Sequence, residues 1–138
     1  VDFKNGVALE RAGGLVGFHT DDGITDSRWF LRSAGLAMRA GMSRDKALYG
    51  MTMANAIMMD LQDRVGSLEV GKDADFIVLS GDPVSVYTHI EQTWVEGKKV
   101  FDRSDPRDYI YAVGGKGATD DADMHTDIHC FDGDGGNE

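Results

Sequence analysis

Leu15-Val16-Gly17-Phe18-His19-Thr20-Asp21-Asp22-Gly23 is the stretch on which the fold turns. A short apolar run ends abruptly in polar residues, the pattern of a buried strand reaching its end. Residues 5–12 before it read as the end of a helix, with Gly13 and Gly14 as the stop. Helix, two glycines, strand is the local grammar of an α/β fold. Side chains alternate across a strand, so Gly17, His19 and Asp21 would share one face and Phe18, Thr20 and Asp22 the other. A His and an Asp two apart would then point the same way from a strand's carboxyl end. Barrels and open α/β sheets place chemistry there. Taken alone, Asp21 suits a simple turn or cap role better.

Downstream, Asp22-Gly23 is a turn signal, and Thr25 or Asp26 can cap a helix running to about residue 40. Phe30, Ala34, Ala37 and Ala40 form its expected buried face. Arg28, Arg32 and Arg39 lie on an opposed stripe, read as a solvated face. Ser43 caps the next helix, with Asp45 in its first turn. Thr52 starts a third, through about residue 61. Met51, Met53, Met58 and Met59 cluster here and read as adaptable core filler.

From Val65 the texture changes. A stretch dense in glycine and acid leads into Phe76-Ile77-Val78-Leu79, a β-branched and aromatic run. Ser80-Gly81-Asp82-Pro83 is a turn, and residues 90–95 and 99–101 form a hairpin about Glu96-Gly97-Lys98. Beyond Val113 the chain is rich in Gly and Asp and reads as a mobile tail.

Composition bounds the function. The chain has 138 residues, 41% hydrophobic and 28% charged, which suits one globular domain with a modest core. Its net charge of −10 is uneven: residues 116–138 hold seven acids and one lysine, which is −6, and residues 1–115 carry the remaining −4. Neither part suits a phosphate backbone, so nucleic-acid binding is set aside. No run of about 18 apolar residues is present, so no membrane partner is expected. The single Cys130 allows no internal disulfide, and no basic-then-apolar leader is visible, so a cytoplasmic location is expected. The first residue is Val1 rather than Met, the start expected of a processed chain or one cut from something longer.

Three segments together resemble one family. Gly66-Ser67-Leu68-Glu69-Val70-Gly71-Lys72-Asp73-Ala74-Asp75-Phe76-Ile77-Val78 resembles a recurring segment, G-x-[IL]-x-x-G-x-x-A-D-[FL]-[VI]-V, of the metal-dependent amidohydrolases. Trp94-Val95-Glu96-Gly97-Lys98-Lys99-Val100 resembles their closing V-x-G-K-x-V hairpin, and His19-Thr20-Asp21-Asp22 resembles the H-[ST]-D-D of the imidazolonepropionase-like branch. Order and spacing agree over about residues 5–110.

The resemblance implies an architecture. Residues 1–61 would be the last strand and helices of a (β/α)8 TIM-like barrel. Residues 62–113 would hold the carboxyl-terminal strands of a small β-sandwich, while the acidic Gly- and Asp-rich tail, residues 114–138, has no counterpart in the resemblance. It also implies hydrolysis of an amide-like C–N bond in a small-molecule substrate by water activated on a divalent metal, usually zinc. Asp21 matches the family's metal-ligating aspartate, which also carries the proton from water to the leaving nitrogen. His19 is then either a residue orienting Asp21 and lining the pocket, or a satisfied barrel-core histidine. Asp22 would lie beside the pocket or serve the turn.

The same resemblance shows what is missing. The other metal ligands, a His-x-His pair, a Lys or Glu, and two further histidines, come from earlier barrel strands. His89, His125 and His129 fall too late to replace them. In the tail, His125 and His129 with Cys130 could pair on a metal, but the surrounding Gly and Asp disfavour a helix there. The chain by itself is therefore not expected to hydrolyse anything. The favoured reading is the carboxyl-terminal part of a longer enzyme. The others are a subunit whose partner supplies the front of the barrel, and a self-associating or partner-binding domain without catalysis.

Overall fold

The computed structural model describes residues 4–21 and 26–114. Within them, α1 (Asn5–Arg11) leads to an extended segment over residues 14–20. A 3-10 turn (Ser27–Trp29) then runs into α2 (Phe30–Arg39), followed by α3 (Arg44–Gly50) and α4 (Met53–Met58). After a long connection come β1 (Phe76–Leu79), β2 (Ile90–Val95) and β3 (Lys98–Asp102), and finally α5 (Pro106–Val113). The result is a small α/β unit with one three-stranded antiparallel sheet in the order β1-β2-β3.

The helical part packs around small side chains. Val7, Ala34, Ala37, Met42 and Ala47 form the buried cluster, and Val16, Phe18, Met38, Ala40, Met51 and Val84 pack against it. Ala34 and Ala37 lie three apart on α2, on the face expected from spacing, while Arg28, Arg32 and Arg39 are exposed. Among the described residues no large side chain is fully buried. A core built on alanine brings helices close but removes little apolar area from water. Much apolar surface therefore stays outside, including Trp29, Val86 and Tyr87.

Several details differ from the sequence reading. Asp26 caps the 3-10 turn by accepting from the Arg28 amide at 2.9 Å, and α2 proper starts only at Phe30. Thr25 lies outside the described residues. Ser43 precedes α3, yet its side chain makes no cap bond. Its hydroxyl and amide both donate to the Glu10 carboxylate instead, tying α1 to α3. Helix α4 is shorter than expected and ends at Met58. Met51 and Met53 are half-buried, as core filler would be, but Met58 and Met59 are exposed at 53% and 69%. They sit at the end of α4, where the Met58 sulfur lies against Gly17 but most of both side chains stays in solvent.

The sheet follows the pattern more closely. Phe76 stands opposite Trp94 and their rings stack, centroids 5.5 Å apart. Glu96 and Gly97 turn the β2–β3 hairpin with φ of 49° and 72°, the left-handed pair of a type I′ turn. The glycine-rich segment supports that turn: the Asp75 carboxylate accepts from the Glu96 amide at 2.7 Å, and the Ala74 carbonyl from the Gly97 amide at 3.1 Å. Asp73 pairs with Arg64 at 2.6 Å, closing the loop that carries both. Gly66 has φ of 94° and its missing Cβ would lie 2.7 Å from the Ala56 Cβ, so only glycine lets this loop lie on α4.

Helix α5 departs from the purely β unit expected of this part of the chain. Its start signal is nonetheless plain: Asp105 accepts from the Arg107 amide at 2.9 Å, and Pro106 occupies the first helical position.

Candidate functional site

The site begins with how the chain holds residues 14–20. They form no strand, because the described residues contain no neighbouring strand to pair with. The segment is instead pinned to α3 and α4 at two points. The Phe18 amide donates to the Gly50 carbonyl at the end of α3, at 3.0 Å. The Asn55 side-chain amide, from α4, donates to the Phe18 carbonyl at 2.9 Å. Both backbone groups of Phe18 are thereby satisfied without a sheet.

Two glycines make this approach possible. A Cβ at Gly50 would stand 2.8 Å from the Phe18 ring and 2.8 Å from the Val16 carbonyl oxygen. A Cβ at Gly17 would stand 2.1 Å from the Asn55 side-chain oxygen and 3.1 Å from the Met58 sulfur. The extended segment thus lies directly on α3 and α4, with Val16 and Phe18 turned onto the core cluster.

Past Phe18 the chain reaches the surface. Thr20 is half-buried, whereas His19 and Asp21 are both exposed. Asp21 has φ of 56°, so the extended backbone ends there in a left-handed turn. Asp and Asn adopt that conformation more readily than most side chains. His19 and Asp21 are therefore both exposed just past the point where Phe18 anchors the segment. Asp22 lies outside the described residues, as do His125, His129 and Cys130.

A metal tests this donor set. A catalytic zinc site uses about three protein ligands with one position open. Among the described residues no three His, Cys, Asp or Glu side chains stand close enough together to hold an ion. Asp21 and His19 alone do not make up such a set. His89 is engaged elsewhere, with the Ser80 hydroxyl at 3.2 Å from its Nδ1 and the Glu91 carboxylate at 2.9 Å from its Nε2, on the hairpin.

The residues that position the site were not singled out from the sequence. Asn55 is the one polar side chain inside Met-Ala-Asn-Ala-Ile-Met, and a half-buried amide in so apolar a helix needs partners. Gly50 ends α3 between Tyr49 and Met51 and is buried there, a place that leaves no room for a side chain. Each was a signal of close approach.

A wide groove among the described residues lies elsewhere. A groove of about 970 Å³ runs between α2, the 83–90 loop, the sheet and the end of α5, and neither His19 nor Asp21 lines it. Its floor is apolar, with Trp29, Leu36, Val84, Val86, Phe101 and Tyr111 among its walls, and Arg28, Arg32, Arg39 and Arg103 also border it. No helix among the described residues is long and apolar enough to cross a membrane.

Comparison with known proteins agrees with the motif segments. Residues 7–101 match the amidohydrolase family. The chain is 39% identical over 93 residues to an adenine deaminase of Shouchella clausii, covering 64% of this chain and 16% of that protein. It is 34% identical over 84 residues to an imidazolonepropionase of Desulfotalea psychrophila, covering 56% of this chain and 20% of that protein. In three dimensions it superposes on an amidohydrolase of Thermotoga maritima with a TM-score of 0.71 and 32% identity, covering 73% of this chain and 26% of that one. The chain thus spans well under a third of the length of the relatives it matches. Sequence motifs, family match and superposition agree that it belongs to the amidohydrolase family.

Proposed function

We propose that this chain is the carboxyl-terminal portion of a metal-dependent amidohydrolase that cleaves an amide-like C–N bond in a small molecule. The observation that carries the reading is Asp21, exposed in a left-handed turn at the end of a segment held by Gly50 and Asn55, inside a family match over residues 7–101. Residues 1–61 are the closing strand region and helices of a (β/α)8 barrel, and the β1–β3 sheet belongs to its companion β-sandwich. The relatives named as a deaminase and an imidazolonepropionase support a small nitrogen-containing substrate.

Asp21 would hold one divalent metal, zinc being the expected ion, together with ligands contributed from outside the described residues. That metal, once bound, supplies a lowered water pKa and a polarised carbonyl. Asp21 itself takes the proton from the attacking water and returns it to the leaving nitrogen as the C–O bond forms and the C–N bond breaks. A carboxylate suits both transfers because it is a base at neutral pH and an acid once protonated. His19, exposed two residues before it, orients the carboxylate or lines the pocket mouth.

Elemental analysis combined with intact mass under non-denaturing conditions tests the reading. The expected result is stoichiometric divalent metal in particles that also contain a polypeptide bearing the missing ligands. Asp21→Asn in that assembly should abolish turnover and leave its folding unchanged. Near-normal turnover would overturn the assignment of Asp21.

A second reading rests on the apolar groove and exposed Val86 and Tyr87, at 87% and 90%. A domain of this fold that binds partners without catalysis would also need such surface. Metal-free particles made only of 15.0 kDa chains would favour it over hydrolysis.

A further inference from the structure

We infer that the acidic segment 116–138 docks in cis along the arginine-bordered groove between α2, the 83–90 loop and α5, covering its apolar floor. Four observations converge. The groove is bordered by Arg28, whose charge is already paired with Asp26, and by Arg32, Arg39 and Arg103, which make a local cationic field on a chain of net charge −10. None of the ion pairs among the described residues involves Arg32, Arg39 or Arg103. Arg32 lies over the Trp29 ring at 5.8 Å and Arg103 over the Tyr109 ring at 5.5 Å, which orders the cations without neutralising them.

The second observation is attachment. The end of α5, through Tyr111 and Val113, itself lines the groove, and a Cβ at Gly114 would lie 4.0 Å from an Arg28 guanidinium nitrogen. The chain therefore leaves the described residues at the groove, beside its basic border. The third is reach and tethering. Twenty-four residues follow Gly114, and an extended chain spans up to about 3.3–3.6 Å per residue, more than enough to run the groove's length. A tethered ligand acts at an effective concentration of about millimolar, so weak contacts suffice. The fourth is matching chemistry. The segment offers seven acids for the arginines and Met124, Ile128 and Phe131 for a floor on which Trp29, Tyr111 and Val86 are more than half exposed.

The docking does not rest on the hydrolase reading, since it uses neither Asp21 nor a metal. The single Cys130 lies in the acidic segment and takes a nitroxide label without substitution. With the full chain so labelled and uniformly enriched in ¹⁵N, amide peaks of Leu36, Val84 and Val86 should lose most of their intensity, and those of the Glu96-Gly97 turn should not. Neutralising the tail through Asp120→Asn, Asp121→Asn, Asp123→Asn and Asp127→Asn should restore those peaks several-fold while leaving the rest of the spectrum in place. Arg32→Glu with Arg39→Glu should do the same from the other side. Broadening confined to the last turn of α5 would overturn the proposal. So would broadening indifferent to both sets of charge changes. Broadening in a mixture where label and ¹⁵N sit on different molecules would assign the groove to a second copy and equally overturn docking in cis.

Discussion

Replacing Gly50 with alanine sets two opposing effects against each other, and their magnitudes decide the outcome. Gly50 is the last residue of α3, and by helix propensity alone alanine should stabilise a helix by about 0.8–1 kcal/mol. The added methyl, however, would stand 2.8 Å from the Phe18 ring and 2.8 Å from the Val16 carbonyl oxygen. The ring can shift, but the carbonyl belongs to a segment fixed by the Phe18–Gly50 backbone bond and by Asn55. Overpacking of this kind costs about 1–3 kcal/mol, and a backbone neighbour places it in the upper half. The net expectation is destabilisation by about 1–2 kcal/mol. Gly35, inside α2, provides the opposite case. Its missing Cβ would meet only the Val84 carbonyl oxygen at 3.5 Å, an ordinary contact, so Gly35→Ala should stabilise by about 0.5–1 kcal/mol. Urea unfolding of the two variants beside the parent chain measures both. The midpoints should move in opposite directions, with amide exchange at Phe18 faster in Gly50→Ala alone. If Gly50→Ala raised the midpoint, residues 14–20 would not lie on α3, and the placement of His19 and Asp21 would fail with it.

Three more outcomes follow from other parts of the molecule. Asn55→Leu removes the donor to the half-buried Phe18 carbonyl, so it should cost about 1–3 kcal/mol and increase proteolytic nicking near residue 20; unchanged stability would mean water replaces the amide fully. Glu96→Asn places a residue at home with φ of 49° in the type I′ turn and should stabilise the hairpin by about 0.5 kcal/mol, read as a higher midpoint; a lower one would place Glu96 in some interaction beyond the turn. Acid acts at the start of α5. The Lys99 ammonium, then the Ser104 hydroxyl and amide, hold the Asp102 carboxyl at about 2, and the Arg107 guanidinium, then its amide, hold Asp105 at about 2, against an ordinary 3.8. Both values are depressed in the folded state, so their stabilisation is complete above pH 4 and is lost as pH falls from there through 2. Asp105→Asn should flatten that part of a pH–stability profile, and an unchanged slope would rule Asp105 out as a contributor.

The parts of the fold legible in the sequence were those written in local chemistry. The Ala34 and Ala37 spacing marked the buried face of α2, Phe76-Ile77-Val78-Leu79 marked a strand, and Glu96-Gly97 marked a tight hairpin. The Asp105-Pro106 signal for α5 is equally local, although it lies beside strand-like segments. The motif segments are long enough to reveal the family, and in the structure Gly66, Asp73 and Asp75 build a loop and brace a hairpin.

By itself, then, the sequence determined the local elements, the family and the presence of a His and an Asp two residues apart. It could not determine what residues 15–19 pair with, because a strand exists only where another segment offers backbone donors and acceptors. Tertiary structure alone decided that a helix end and the Asn55 amide take that place. It alone showed why Gly17 and Gly50 must lack side chains, and that His19 and Asp21 emerge exposed. The physical reason is the same in each case: these are contacts between segments about 30 to 40 residues apart, and no residue pattern within either segment encodes the distance between them.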